Sequence, residues 1–334
     1  MPSRWKLSGR QRIAAVSLFV LGVGLLFVPK FRSEYELLTY TRFLTLALMA
    51  QGWNFIGGYT GYAAFGNVAF FGIGAYTTGL LMISSWQVPF FPALFCGAIL
   101  AAIVAALIGL PILRLKGHYF AIATLGVAEA GHQIADTWDS VTQGSTGIDL
   151  PVRSEGEFFY YSALALVVLG IVVTTLLVRS KIGYAWVAIR EDQDAARMLG
   201  INTTPLKGLA FALSAVFAAL AGGLTAYQNI HVTPSDFFNL EYTLQMIIAT
   251  IIGGTGTIFG PVLGAGIYQL LSTYVWTKFL ELHPTVLGLI IIFFIIFAPR
   301  GLMSVVGEGL RMARGQKRFR WNALLANVRA HRVT

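Results

Sequence analysis

Apolar runs separated by short polar or glycine-rich pieces recur along the whole chain, and this pattern predicts ten membrane-spanning helices. The first runs from Ile13 to Val28. The others fall near residues 37–56, 65–84, 89–112, 118–135, 158–178, 207–228, 241–253, 259–277 and 285–298. A full crossing takes about 20 residues. The eighth and tenth runs fall short of that, which leaves room for a broken or re-entrant path. Most prolines mark the run ends, among them Pro29, Pro89, Pro92, Pro111, Pro261, Pro284 and Pro299.

One long polar stretch interrupts the series, from Arg179 to Lys207. Tyr184 to Leu199 contains no Gly or Pro and predicts a single short helix, with Gly200 ending it and Pro205 blocking continuation. Trp186, Ile189, Ala196 and Leu199 share a stripe at helical spacing into which Asp192 intrudes, while Arg190, Glu191, Asp194 and Arg197 point elsewhere. The pair Ala195-Ala196 offers so little bulk that another protein surface can approach closely.

Composition agrees with a bilayer environment. The 334 residues are 56% hydrophobic and only 12% charged, with a mean hydropathy of +0.69. A soluble domain of this length cannot hide so much apolar surface. The net charge of +9 sits in short blocks between apolar runs, a distribution that reflects membrane topology rather than nucleic-acid binding. Four basic residues precede the first run, and Phe27-Val28-Pro29-Lys30 lacks the small residues of a cleavage site, so that run is read as a retained span. With residues 1–12 inside, the pieces 1–12, 113–117, 179–207 and 299–334 are cytoplasmic and hold nineteen of the 24 Lys and Arg residues. Both termini are then cytoplasmic, and 13–298 forms the membrane domain. The lone Cys96 excludes an intrachain disulfide and cysteine metal ligation, and no metal site is expected.

An internal echo is present. Gly57-Gly58-Tyr59-Thr60-Gly61 leads to Phe65-Gly66-Asn67, and Gly253-Gly254-Thr255-Gly256 leads to Phe259-Gly260-Pro261. Each copy joins two apolar runs through a glycine-dense break. Such breaks either line a pathway or let helices pack closely.

Six ordered motifs carry a family resemblance: WNFIGGYTGYAAFGNVAFFGIGAYTTGLL, GHYFAIATLGVAEAG, WDSVTQGSTGI, AIREDQDAARMLGIN, IIGGTGTIFGPVLGAGI and FAPRGL. Over roughly residues 37–302 the chain resembles the permease subunits of bacterial branched-chain amino-acid ABC importers, more closely the LivM type. The resemblance implies an all-α inner-membrane protein. Its implied partners are a second permease of the LivH type, two ABC ATPases and a periplasmic amino-acid-binding protein. ATP and magnesium would belong to the ATPases, and no cofactor to this chain. It further implies a cytoplasmic coupling helix, often marked by Glu-Ala-Ala, three residues, then Gly. Asp194-Ala195-Ala196-Arg197-Met198-Leu199-Gly200 fits with Asp in place of Glu, and Arg190, Glu191, Asp192 and Asp194 are expected to form rim ion pairs with an ATPase. The alternative is a helix lying on the membrane surface, which its acidic residues disfavour.

Translocation candidates are Gln51, Asn54, Gly57, Gly58, Thr60, Asn67, Glu129, Gly253, Gly254 and Thr255. Glu129 and His132 share a face, as do Gln51 and Asn54, and a carboxylate at membrane depth is a functional candidate. Its other reading is a contact with the partner subunit or a place near the outer end. The loop 136–157 either receives the binding protein or merely connects. No G-x-x-x-x-G-K-[ST], G-x-S-x-G or H-E-x-x-H occurs, so an enzyme is not expected and any ATP hydrolysis belongs to separate chains. Urea or short amides are the rival cargo. An ion-coupled carrier acting alone is a second class, with Arg42 and Glu129 as its only intramembrane charges.

Overall fold

The computed structural model describes residues 29–30, 33–153, 155–278 and Gly288. The expected first span, nearly all of the tenth and the basic tail lie outside these. The described chain is almost entirely helical. Its long helices are α1 (Glu34–Trp53), α2 (Asn67–Ile83), α3 (Phe90–Ile112), α4 (His118–Thr137) and α5 (Gly156–Val178). Two short helices follow, α6 (Lys181–Glu191) and α7 (Gln193–Met198), then α8 (Thr203–Asn229), α9 (Leu240–Gly253) and α10 (Gly260–Lys278). Each of the eight expected apolar runs within the described residues is a helix.

Local chemistry sets the helix starts. Ser33 opens α1 with a reciprocal capping box, its hydroxyl facing the Glu36 N–H and the Glu36 carboxylate accepting from the Ser33 N–H at 3.1 Å. Asn239 opens α9, its side-chain oxygen accepting from the Glu241 N–H at 2.9 Å. A π-helical turn, Asn54–Tyr59, extends α1.

Helix α8 is the axis of the bundle. It packs against α2, α3, α1 and α5, and 72% of its most apolar window is buried, against 39% for α3 and for α5. Those three helices are long and apolar enough to cross a bilayer. Phe90, Phe158 and Tyr227 knit α3, α5 and α8 together at one end. There a two-stranded ribbon also pairs Ile148 with Val232 and Asp149 with His231, antiparallel.

Helix α2 begins inside the bundle rather than at its surface. The Phe65 N–H donates to the Thr124 hydroxyl of α4 at 3.0 Å, and the Val68 N–H to the Thr243 hydroxyl of α9 at 3.1 Å. Threonines from two other helices thus serve donors that no intrahelical carbonyl can reach. The preceding extended chain is satisfied similarly: the Trp53 indole donates to the Ala64 carbonyl at 2.8 Å, and the Tyr62 N–H to the Ile56 carbonyl at 3.0 Å. Helix α9 spans only 14 residues and is preceded by a single turn, Pro234–Phe237.

Candidate functional site

The end of the bundle opposite the ribbon gathers residues 54–66, 113–117, 180–207 and 253–260. The 184–199 helix expected from periodicity is in fact two helices. Ser180 caps α6 through the Ile182 N–H at 3.1 Å, and α6 stops at Glu191. Asp192 is extended (φ −157°, ψ 114°), and its carboxylate accepts from the Asp194 N–H at 2.8 Å and the Ala195 N–H at 3.0 Å, starting α7. A short acidic side chain caps more readily than it sits mid-helix. Gly200 (φ +81°) then closes α7 as expected, with the Ile201 N–H on the Ala196 carbonyl at 3.1 Å and the Gly200 N–H on Arg197 at 2.9 Å. Pro205 does not serve as the stop; it lies in the first turn of α8, where its missing N–H has no intrahelical acceptor to lose.

The break resets the phase of the stripe. Trp186, Ile189 and Ala196 are buried, but Leu199 is 79% exposed, and Met198 beside it is exposed as well. The expected small-residue pair is split: Ala195 faces out while Ala196 packs inside. Tyr184 joins Ala195, Met198 and Leu199 on the open flank of this two-helix handle.

The buried flank is tied to the glycine breaks. Trp186 donates to the Leu206 carbonyl at 2.8 Å, and its ring meets Phe55 edge-on at 5.8 Å and Tyr59 at 6.3 Å. Arg190 donates to the Gly58 carbonyl at 2.9 Å. Gly58 in turn lies against the second break, where an added Cβ would stand 2.6 Å from the Gly256 nitrogen. Asn54 joins the two breaks: its amide donates to the Thr257 carbonyl at 2.9 Å and its oxygen accepts from the Gly256 N–H at 2.8 Å. Of the residues expected to form rim ion pairs, Arg190, Asp192 and Asp194 therefore make contacts within this chain. Asp194 pairs with Lys116 at 2.9 Å, and that hydrogen bond, then the Lys116 and Arg197 charges, holds its carboxyl below the ordinary 3.8. Glu191 is exposed beside them.

Sequence reasoning missed Lys207. It is 1% exposed, and its ammonium donates to the Leu113 carbonyl at 2.7 Å, the Tyr62 hydroxyl at 3.2 Å and Gln193 at 3.5 Å. It also stands 4.5 Å from the Tyr62 ring centre, and Tyr62 itself donates to Gln193. A lysine at the mouth of an apolar run reads as a topology charge, so only its inward neighbours reveal its role.

The translocation candidates divide by position. Gln51 is buried, with neither amide atom hydrogen-bonded among the described residues, and Gly170 approaches its oxygen closely. Thr60 and Asn67 are buried, the hydroxyl of Thr60 bonding the Ile56 carbonyl at 2.7 Å. Gly57 lies on the Trp53 ring, and Gly253 on the Gly260 carbonyl. Gly254 is buried and Thr255 is exposed at the tip of the second break. Glu129 stands apart on α4, beside His132 at 3.9 Å and bonded by Gln133 at 3.1 Å.

Residues 37–297 match the family model described as "Branched-chain amino acid transport system / permease component". The chain belongs to this permease family. As a permease of this kind, with apolar helices long enough to cross a bilayer, it is a membrane protein. It is 31% identical to the high-affinity branched-chain amino acid transport system permease protein LivM of Escherichia coli K12, over 92% of this chain and 78% of that one. The LivM protein of Salmonella typhimurium is 30% identical over the same shares. The Salmonella typhimurium permease protein LivH of the same kind of system is 25% identical over 78% of this permease and 91% of its own length. No solved structure matches.

Proposed function

We propose that this permease is the LivM-type, non-catalytic membrane subunit of an ATP-driven importer of branched-chain or related small amino acids. A second permease of the LivH type, two ABC ATPases that bind ATP and magnesium, and a periplasmic amino-acid-binding protein complete the machine. It sits in the bacterial inner membrane with ten spans between residues 13 and 298 and both termini in the cytoplasm. The handle α6–α7 is the cytoplasmic coupling element.

The observation that carries this reading is the Arg190 bond to the Gly58 carbonyl. It ties an element with an exposed flank to a broken helix, which Asn54 joins to the other one. A push on the exposed flank reaches both breaks through packed rings and three hydrogen bonds, without needing a charged relay inside the membrane. Alternating access then proceeds by rocking of packed helices. The pathway takes in the breaks around Asn54, Gly58 and Gly254 together with Glu129.

The direct test is Ala195→Trp, because Ala195 is exposed whereas Ala196 packs inside and would report on folding. ATPase recovery on the purified permease should fall while membrane insertion and thermal stability hold. Full ATPase recovery would remove the docking assignment.

A further inference from the structure

A groove of about 720 Å³ runs along α4 beside the turn Pro234–Phe237 and the start of α9. That volume lies within the usual range for small-molecule clefts, about 300–1,000 Å³. Ile122, Leu125, Phe238 and Leu240 give it apolar walls. Among its described lining residues Glu129 is the sole carboxylate, and none is Lys or Arg.

The position of Glu129 matters. At 1.5 Å per residue it lies about 16 Å from the His118 end of α4 and about 12 Å from the Thr137 end, near mid-helix. Its side chain is 68% exposed and turned out of this chain. On the ten-span reading α4 crosses the bilayer, and a carboxylate midway along it faces a protein neighbour or a wet passage. Gln133 donates to one oxygen at 3.1 Å and His132 stands 3.9 Å away, its ring stacked on Phe238 at 6.4 Å between centres. These neighbours hold the carboxylate in place without supplying a permanent countercharge. What the groove lacks is a compact cation joined to an aliphatic body.

We infer that this groove is the permease's half of the substrate passage, with Glu129 receiving the α-ammonium of an aliphatic amino acid while its side chain lies along Ile122, Leu125 and Phe238. The inference rests on the importer reading above and gives that reading an orientation. The ammonium faces this chain, and the carboxylate faces the side the groove leaves open.

The test uses the complete complex, with both permeases, the ATPases and the binding protein, in proteoliposomes taking up leucine. Glu129→Gln should lower uptake roughly 10- to 100-fold, the worth of one charge-assisted hydrogen bond. Assembly should stay unchanged, and Glu129→Asp should recover part of the uptake. 3-Methylbutylamine, which has the ammonium and branched chain but no carboxylate, should inhibit the unmutated complex and spare Glu129→Gln. 4-Methylpentanoate, which lacks the ammonium, should inhibit neither. Wild-type uptake by Glu129→Gln, equal inhibition by both analogues, or loss of assembly in both variants would overturn the assignment. If the unmutated complex takes up no leucine, the importer reading itself fails, and this one with it.

Discussion

Around Gly57–Gly66 the chain loosens into a π turn and an extended run, whereas around Gly253–Gly260 it closes into a tight hairpin. The two carry the same glycine-rich echo and use it differently. In the first, side chains from elsewhere serve the backbone: Trp53 holds the Ala64 carbonyl, Thr124 takes the Phe65 N–H, and Arg190 bonds Gly58. In the second, Asn54 serves Gly256 and Thr257 in the same way, but most of the turn is held by backbone packed on backbone. A Cβ on Gly253 would lie 1.7 Å from the Gly260 oxygen, and one on Gly264 1.8 Å from the Ala249 oxygen. The comparison teaches that glycine density alone does not tell a polar opening from a packing seam. What decides is which residues nearby can reach the freed backbone groups.

The largest effect should come from the seam. Gly253→Ala has to displace main chain and should cost at least about 3 kcal/mol. Gly61→Ala meets Arg190, tightest at its Cγ (3.1 Å) with its Cα at an ordinary 3.6 Å, and most of its cost of about 1 kcal/mol comes from the positive φ. Thermal unfolding of the detergent-solubilised permease checks both, and equal losses would dissolve the distinction. Next comes the link between the breaks. Asn54→Leu leaves the Gly256 N–H and the Thr257 carbonyl unserved, at about 2–4 kcal/mol in the same assay. Asn54→Asp keeps the acceptor for Gly256 and should lose less.

The smallest effect is electrostatic and belongs to the handle. Because Lys116 and Arg197 hold the Asp194 carboxyl below 3.8, that tether is fully present above the unfolded value and fades as pH falls through the lower folded one. Carbon NMR of Asp194 should show a midpoint under 3.8 that Lys116→Ala raises. An unmoved midpoint would mean that the ion pair is not formed in solution.

Much of the architecture was legible in the apolar runs, because the bilayer demands long helices and proline and glycine mark where they stop. Gly200 was legible as a helix end. The handle was legible only as a location. Periodicity carries one phase through Asp192, and the capping carboxylate breaks that phase, so Leu199 leaves the buried stripe that Trp186, Ile189 and Ala196 keep. Asn54 could be read as a polar residue near a break. Its partners lie some two hundred residues along the chain, and no local pattern encodes them. Lys207 was hidden for the same reason, since Tyr62 and Leu113 come to it through the fold.

The buried ammonium of Lys207 has a mechanical consequence. It fastens the end of α3, the strand-like run at Tyr62 and the start of α7 to the central helix with one positive charge and neutral acceptors. Sliding any of these past the others would strand that charge in a dry setting. These contacts therefore bind the region into one stiff unit.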